Sequence, residues 1–128
     1  MSALLLDTHA FIWFSENAPN LSVTLKEQIE SADRVYISIA SLWEIAIKTS
    51  IGKLTLQVDY ADIEAQLTAS GILLLPISFA DTVRVRNLSF HHRDPFDRIL
   101  IAQSINHSLV LVSRDEMFDA YAVQRLWA

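Results

Sequence analysis

No cysteine occurs anywhere in the 128 residues. Disulfides, thiolate metal sites and cysteine nucleophiles are thereby excluded, and the composition fits a reducing compartment. Glycine is nearly as scarce, with 2, and proline appears 3 times, against a hydrophobic share of 52%. That balance excludes a disordered or fibrous chain and predicts a helix-rich globular one. Long apolar runs are also missing, for none nears the roughly 18–20 residues that span a bilayer. The short apolar run near the start is broken at Asp7 and has no basic region before it, so no secretory leader is expected. The expectation is a soluble cytoplasmic protein, with one domain over residues 1–128 large enough for a real core.

Positive charge is in deficit as well, at a net −5, which ordinarily argues against a nucleic-acid partner. The distribution is uneven, however. Residues 1–83 carry 4 Lys/Arg against 10 Asp/Glu, whereas residues 84–128 carry 6 Arg against 5 acids. Arg84, Arg86, Arg93, Arg98 and Arg114 gather in the second part with His91 and His92. A local basic surface attracts phosphates despite an acidic total. Judged by themselves, these residues are more simply ordinary solvated charges.

Short continuous apolar runs alternate with helical patterns along the chain. Ala3–Leu6 reads as a fully buried strand ending at Asp7, and Val35–Ser38, Ile72–Leu75 and Leu109–Val112 read likewise. Residues 122–126 form a fifth strand, at an edge. Between them the pattern predicts helices from Thr8 to about Glu16, from the Ser22 cap to about Ala32, and from Ala40 to Ile51 with Gly52 as C-cap. Further helices run from the Asp59 cap to Ser70, stopped by Gly71, from the Ser78 cap to Asn87, and from Pro95 to about His107. This alternation predicts an α/β fold, a three-layer α/β/α sandwich around a mainly parallel sheet of four to five strands. In such sheets ligands gather beyond the carboxyl ends of the strands, near the topological switch point.

Four acids stand at apolar-flanked positions, and each has a bland alternative. Asp7 closes Leu-Leu-Leu-Asp-Thr, where it serves equally as an N-cap. Glu44 lies in mid-helix among Leu42, Trp43, Ile45, Ala46 and Ile47, with a surface pair to Lys48 as its plain role. Asp97 falls in the first turn after Asp94 and Pro95, where the helix macrodipole favours acids at roughly 0.3–1 kcal/mol each. Asp115 ends Leu-Val-Leu-Val-Ser-Arg-Asp as a turn or cap residue, with Ser113 an equal candidate to hold that turn. Together they suggest carboxylates converging at one end of a sheet. Clustered carboxylates repel unless a cation compensates, and without thiols or a histidine-rich motif the chemistry points to Mg²⁺ or Mn²⁺.

The segments Leu4-Leu-Leu-Asp-Thr-His9, Ser41-Leu-Trp-Glu-Ile-Ala-Ile-Lys48, His92-Arg-Asp-Pro-Phe-Asp-Arg98 with Ile101-Ala-Gln103, and Leu111-Val-Ser-Arg-Asp115 occur in this order. In that combination the chain resembles the PIN-domain family, and within it the VapC-type ribonuclease toxins of toxin–antitoxin pairs. The resemblance implies that Asp7, Glu44, Asp97 and Asp115 hold Mg²⁺ or Mn²⁺. It further implies hydrolytic cleavage of RNA by metal-activated water, leaving a 5′-phosphate and a 3′-hydroxyl. A homodimer and a small inhibitory antitoxin are the implied partners. Arg93, Arg98 and Arg114 are candidates for contacting phosphate. Thr8 and Ser113 read as backbone-shaping residues, His91 and His92 as exposed bystanders, and Trp13, Trp43 and Trp127 as core or dimer-interface residues. Two other readings compete. One is a non-catalytic PIN-like module binding RNA or protein. The other is a phosphotransfer receiver domain, disfavoured because no adjacent acidic pair follows the first strand.

Overall fold

The computed structural model describes residues 2–128. Its centre is β1 (Ala3–Leu6), whose apolar residues can be buried on both faces because helices cover the sheet above and below. Leu4 and Leu6 enter one core with Phe11, Leu25, Ile37 and Ile45, whereas Leu5 enters a second with Leu100, Ile101, Leu111 and Phe118. Period-2 alternation along a single strand thus divides the interior into two cores, which makes three layers. Full burial of each leucine contributes roughly 1.5–3 kcal/mol.

Four strands flank β1 in the order β3-β2-β1-β4-β5, with β2 at Arg34–Ser38, β3 at Leu73–Leu75, β4 at Val110–Val112 and β5 at Gln124–Leu126. All the pairings are parallel, with Leu4 opposite Val35 on one side and Val110 on the other. The chain therefore builds outward from β1 to β3, then returns to the opposite side of β1 with β4. The switch point lies between β1 and β4, where the crevice that receives ligands is expected.

The helices are α1 (Thr8–Ser15), α2 (Val23–Ser31), α3 (Ile39–Ser50), α4 (Ile63–Ser70), α5 (Phe79–Asn87) and α6 (Pro95–Asn106). Ser22 and Ser78 cap α2 and α5 through side-chain oxygens, and Gly71 ends α4 at φ 72°. Some element ends differ from the sequence-based expectation. Asp59 caps a 3-10 turn, Tyr60–Asp62, and α4 begins only at Ile63. Ile51 is the C-cap of α3, with Gly52 one residue beyond it at φ 72°. Of the two readings of Trp43, core or dimer interface, the core one fails: it is 60% exposed, because the apolar surround of α3 includes an outward stripe of Ile39, Trp43, Ile47 and Ile51. Among the described residues, no helix is long and apolar enough to cross a membrane.

Candidate active site

The four acids come from four separate parts of the chain and share one pocket of about 250 Å³. Asp7, Glu44, Asp97 and Asp115 line it together with Thr8, His9, Lys48, Asp94 and Phe118. Strand geometry explains the meeting. Asp7 directly follows β1, and its backbone N–H donates to Val112 at 3.0 Å, so the ends of β1 and β4 are level. The helices α3 and α6 then bring Glu44 and Asp97 to the same crevice.

Three of the acids also do structural work. Asp7 caps α1, its Oδ1 accepting from the Ala10 N–H at 2.8 Å. Burial nevertheless raises its pKa, against the lowering effect of hydrogen bonds from Ser113 and Ala10. Asp115 caps the 3-10 turn Glu116–Ala120 through Oδ1, while Oδ2 lies 2.9 Å from His92 Nε2. Burial disfavours its charge, but the hydrogen bonds from His92 and Met117 outweigh that and hold the carboxyl below its usual range. Glu44 forms the expected pair with Lys48, at 2.8 Å, yet the carboxylate is buried rather than on the surface. Its other oxygen accepts from the Thr8 hydroxyl at 2.6 Å, so Thr8 fixes the Glu44 side chain rather than the backbone. Lys48 responds with a raised pKa, chiefly through its bond to Glu44.

Asp97 is different. Among the described residues it accepts no hydrogen bond, and Asp94 is the acid that caps α6, bonding the Phe96 N–H. Desolvation, followed by the charge of Asp94 and more weakly by Glu44 and Asp7, pushes Asp97 up to about 7, although His92 opposes the shift. Asp81 provides the contrast. It too is buried, but it accepts from the Ser78 N–H and Asn106 Nδ2 at 2.9 Å each and keeps a lowered pKa. An acid that serves the fold is satisfied by it. Asp97 is not.

A stability prediction follows directly. The carboxyl of Asp97 titrates at about 7 in the folded protein and near 3.9 in the unfolded chain. The folded state therefore binds the extra proton between those values, and stability falls as pH rises through that window. In EDTA, the melting temperature is expected to fall from about pH 4 to about pH 7, and Asp97→Asn to flatten that part of the curve. Parallel curves for the two proteins would show that Asp97 does not titrate there.

The donor set suits a hard cation. The four carboxylates offer only oxygen, and Lys48 is the sole lysine or arginine lining the pocket, so negative charge is left short of compensation. Among the described residues no three His, Asp or Glu side chains already converge as a ligand group. Mg²⁺ commonly keeps several waters and takes one or two carboxylates, so a preformed cage is not required.

The remaining candidates divide. Arg98 does not reach the pocket. It is 5% exposed, and its guanidinium donates to the carbonyls of Val85, Leu88, Ser89 and His92 at 3.0–3.3 Å, with the Phe90 ring over it at 4.2 Å. Arg93 is exposed and lines neither the acidic pocket nor the cavity beside it, whereas Arg114 lines that neighbouring cavity. Ser113 holds its turn as expected, accepting from the Asp115 N–H at 3.0 Å. His92 overturns the expectation of an exposed bystander. It is buried, stacks on Phe118 at 4.6 Å, and steadies Asp115; Tyr121 in turn accepts from its backbone N–H at 2.8 Å. Nothing in the spacing of His92, Asp115, Phe118 and Tyr121 signals this cluster, since the fold alone brings them together. The importance of Lys48 was legible only as the i, i+4 partner of Glu44.

The chain is also similar to known proteins. A model of the PIN domain matches residues 4–124. The chain is 31% identical over 117 residues to Ribonuclease VapC22 of Mycobacterium tuberculosis, covering 90% of this chain and 88% of that one. Among solved structures, it superposes on DNA-bound VapBC from Salmonella typhimurium with a TM-score of 0.73 at 16% identity, covering 98% of each chain. A toxin–antitoxin complex from Klebsiella pneumoniae gives 0.64 at 17% identity, over 96% of this chain and 95% of that one. These two likenesses are of fold.

Proposed function

This chain belongs to the PIN-domain family, and on that footing we propose that it is an endoribonuclease, the toxin of a toxin–antitoxin pair, that cuts RNA phosphodiester bonds with the help of Mg²⁺ or Mn²⁺. Asp97 carries the reading, as a carboxylate unused by the fold and held near 7 in a pocket of like charges. The ribonuclease named among its relatives supports the substrate class. Asp7, Glu44, Asp97 and Asp115 would hold the ion. When bound, it supplies Lewis-acid polarisation of the phosphodiester and an acidified water.

The residues of the chain prepare the rest. Thr8 and Lys48 orient Glu44, the Ala10 N–H orients Asp7, and His92 orients Asp115. Asp97 carries a titrating proton near neutral pH, which it would lose to a bound cation. Lys48 keeps a positive charge at the pocket for an approaching phosphate.

The resemblance to toxin–antitoxin complexes supports a small antitoxin as partner and action in the cytoplasm. A homodimer belongs to the same reading. The exposed stripe of Ile39, Trp43, Ile47 and Ile51 along α3 supplies apolar surface for a protein partner to cover.

The test is incubation of a labelled structured RNA with purified protein in Mg²⁺, in Mn²⁺ and in EDTA, alongside melting curves. Cleavage is expected with either metal and none in EDTA. Metal at a hundredfold excess over its Kd should stabilise the protein by about 2.7 kcal/mol. One observation favours a second reading, a binding module without catalysis: Asp7 and Asp115 already serve as caps. That reading predicts no cleavage and no metal-dependent shift in melting temperature.

A further inference from the structure

A second cavity, of about 260 Å³, adjoins the acidic pocket and shares Asp7, His9 and Asp115 with it. Trp13 and Arg114 complete its lining. A group bound there would lie directly beside the carboxylates. His9 and Trp13 are four residues apart on α1, with ring centroids 5.6 Å apart, and Trp13 leans on Trp127 at 6.0 Å. Contact with Trp127 and with the core holds the indole in place. The Arg114 guanidinium lies over Trp13 at 5.0 Å, is exposed, and makes no ion pair or hydrogen bond among the described residues.

A fold needs neither an exposed histidine nor an unpaired arginine on this wall. Trp13 by itself is explained as a half-buried core residue. The open cavity flanked by an indole, an imidazole, a guanidinium and two acids is not. Its chemistry selects a class of occupant. Asp7 and Asp115 belong to the acidic pocket, where the cleaved phosphodiester would sit, so the cavity beside it receives the next part of the strand, and a flat, neutral ring with polar edges suits its indole wall. An exposed cation–π contact is weaker than stacking of a base on an aromatic ring, so a base can displace Arg114 from the indole.

We infer that this cavity is a nucleobase subsite, in which an unpaired base of single-stranded RNA beside the cleaved bond stacks on Trp13 while Arg114 engages the adjoining phosphate. The inference rests on the ribonuclease reading and adds to it a place that holds the strand beside the cut.

The experiment uses the full chain with a fluorescein-labelled single-stranded oligoribonucleotide that the wild type cuts in Mn²⁺. A single abasic residue is moved through the oligonucleotide, and kcat and KM are measured for the wild type, Trp13→Leu, Trp13→Phe and Arg114→Ala. One abasic position next to the cut is expected to raise KM by about tenfold or more, the fold-change that loss of one stacked base brings. Trp13→Leu should raise KM similarly on the intact strand and be indifferent to the abasic site, while Trp13→Phe restores most of the loss. The effect falls on KM rather than kcat because stacking is present before and during reaction. The metal-dependent melting shift of Trp13→Leu should match that of the wild type. If Trp13→Leu does not fold, the abasic scan on the wild type and the raised KM of Arg114→Ala still decide. An abasic scan without effect on a wild type that cuts RNA overturns the subsite and leaves the nuclease reading standing, as does an abasic penalty undiminished in folded Trp13→Leu. A wild type that cuts no RNA in either metal overturns both.

Discussion

Asp97→Asn is expected to reduce RNA cleavage by about a thousandfold or more while leaving the metal-free protein folded, because removing one member of a set that acts as a unit costs nearly as much as removing them all. The two halves of this result have one cause. Among the described residues Asp97 accepts no hydrogen bond, and it sits desolvated beside Asp94, Glu44 and Asp7, so neutralising it removes repulsion and breaks none of those contacts. Above pH 7 the variant should melt at or above the temperature of the wild type in EDTA. The stabilisation by Mn²⁺ should shrink, since a carboxamide is a poorer ligand for a hard cation. Cleavage assays and melting curves on the same two preparations check both halves. A variant that unfolds would make Asp97 a structural residue of the first turn of α6 and remove the basis for the site.

Arg98→Ala, one residue further on, should give the opposite result: a destabilisation of about 3 kcal/mol, or roughly 10 °C in melting temperature for a domain of this size. The buried guanidinium ties down the carbonyls of Val85 and Leu88 at the end of α5 and those of Ser89 and His92 in the following loop. A cation at that end of a helix also meets the negative pole of the macrodipole. Truncation leaves these carbonyls without their donor and releases the Phe90 ring from the guanidinium it covers. Lysine should rescue little, because one ammonium cannot span the four acceptors that the planar fork reaches. Cleavage should fall too, since the freed loop carries His92, the partner of Asp115. Urea denaturation measures the first effect, and a loss below about 1 kcal/mol would mean that the loop is held by other contacts.

These neighbouring residues mark the boundary of what a one-dimensional reading reaches. The run Leu4-Leu5-Leu6 was legible because only a parallel strand covered on both faces has no use for alternation. The caps Ser22 and Ser78 and the stop at Gly71 were legible because their chemistry is local. The four acids were legible by their apolar surroundings, and the structure brings all of them to one pocket. Arg98 was not, since its acceptors are backbone carbonyls of residues 85–92, and a carbonyl leaves no mark on the choice of side chain. His92 was not, because its partners Asp115, Phe118 and Tyr121 come close only after β4 has paired with β1. For a related reason the sequence did not decide between core and dimer interface for Trp43. An all-apolar helix reads as buried all round, and the sequence carries no sign of which stripe of α3 the domain itself covers.

The position of β1 between β2 and β4 has a consequence in time. Leu4 pairs with Val35 early in the chain but with Val110 only near its end. Contacts of such long range must wait for the intervening loop to close. On the ribosome, Asp7 and Glu44 therefore emerge before the strand that sets Asp115 opposite them. The crevice takes shape only once β4 has been made and has paired with β1.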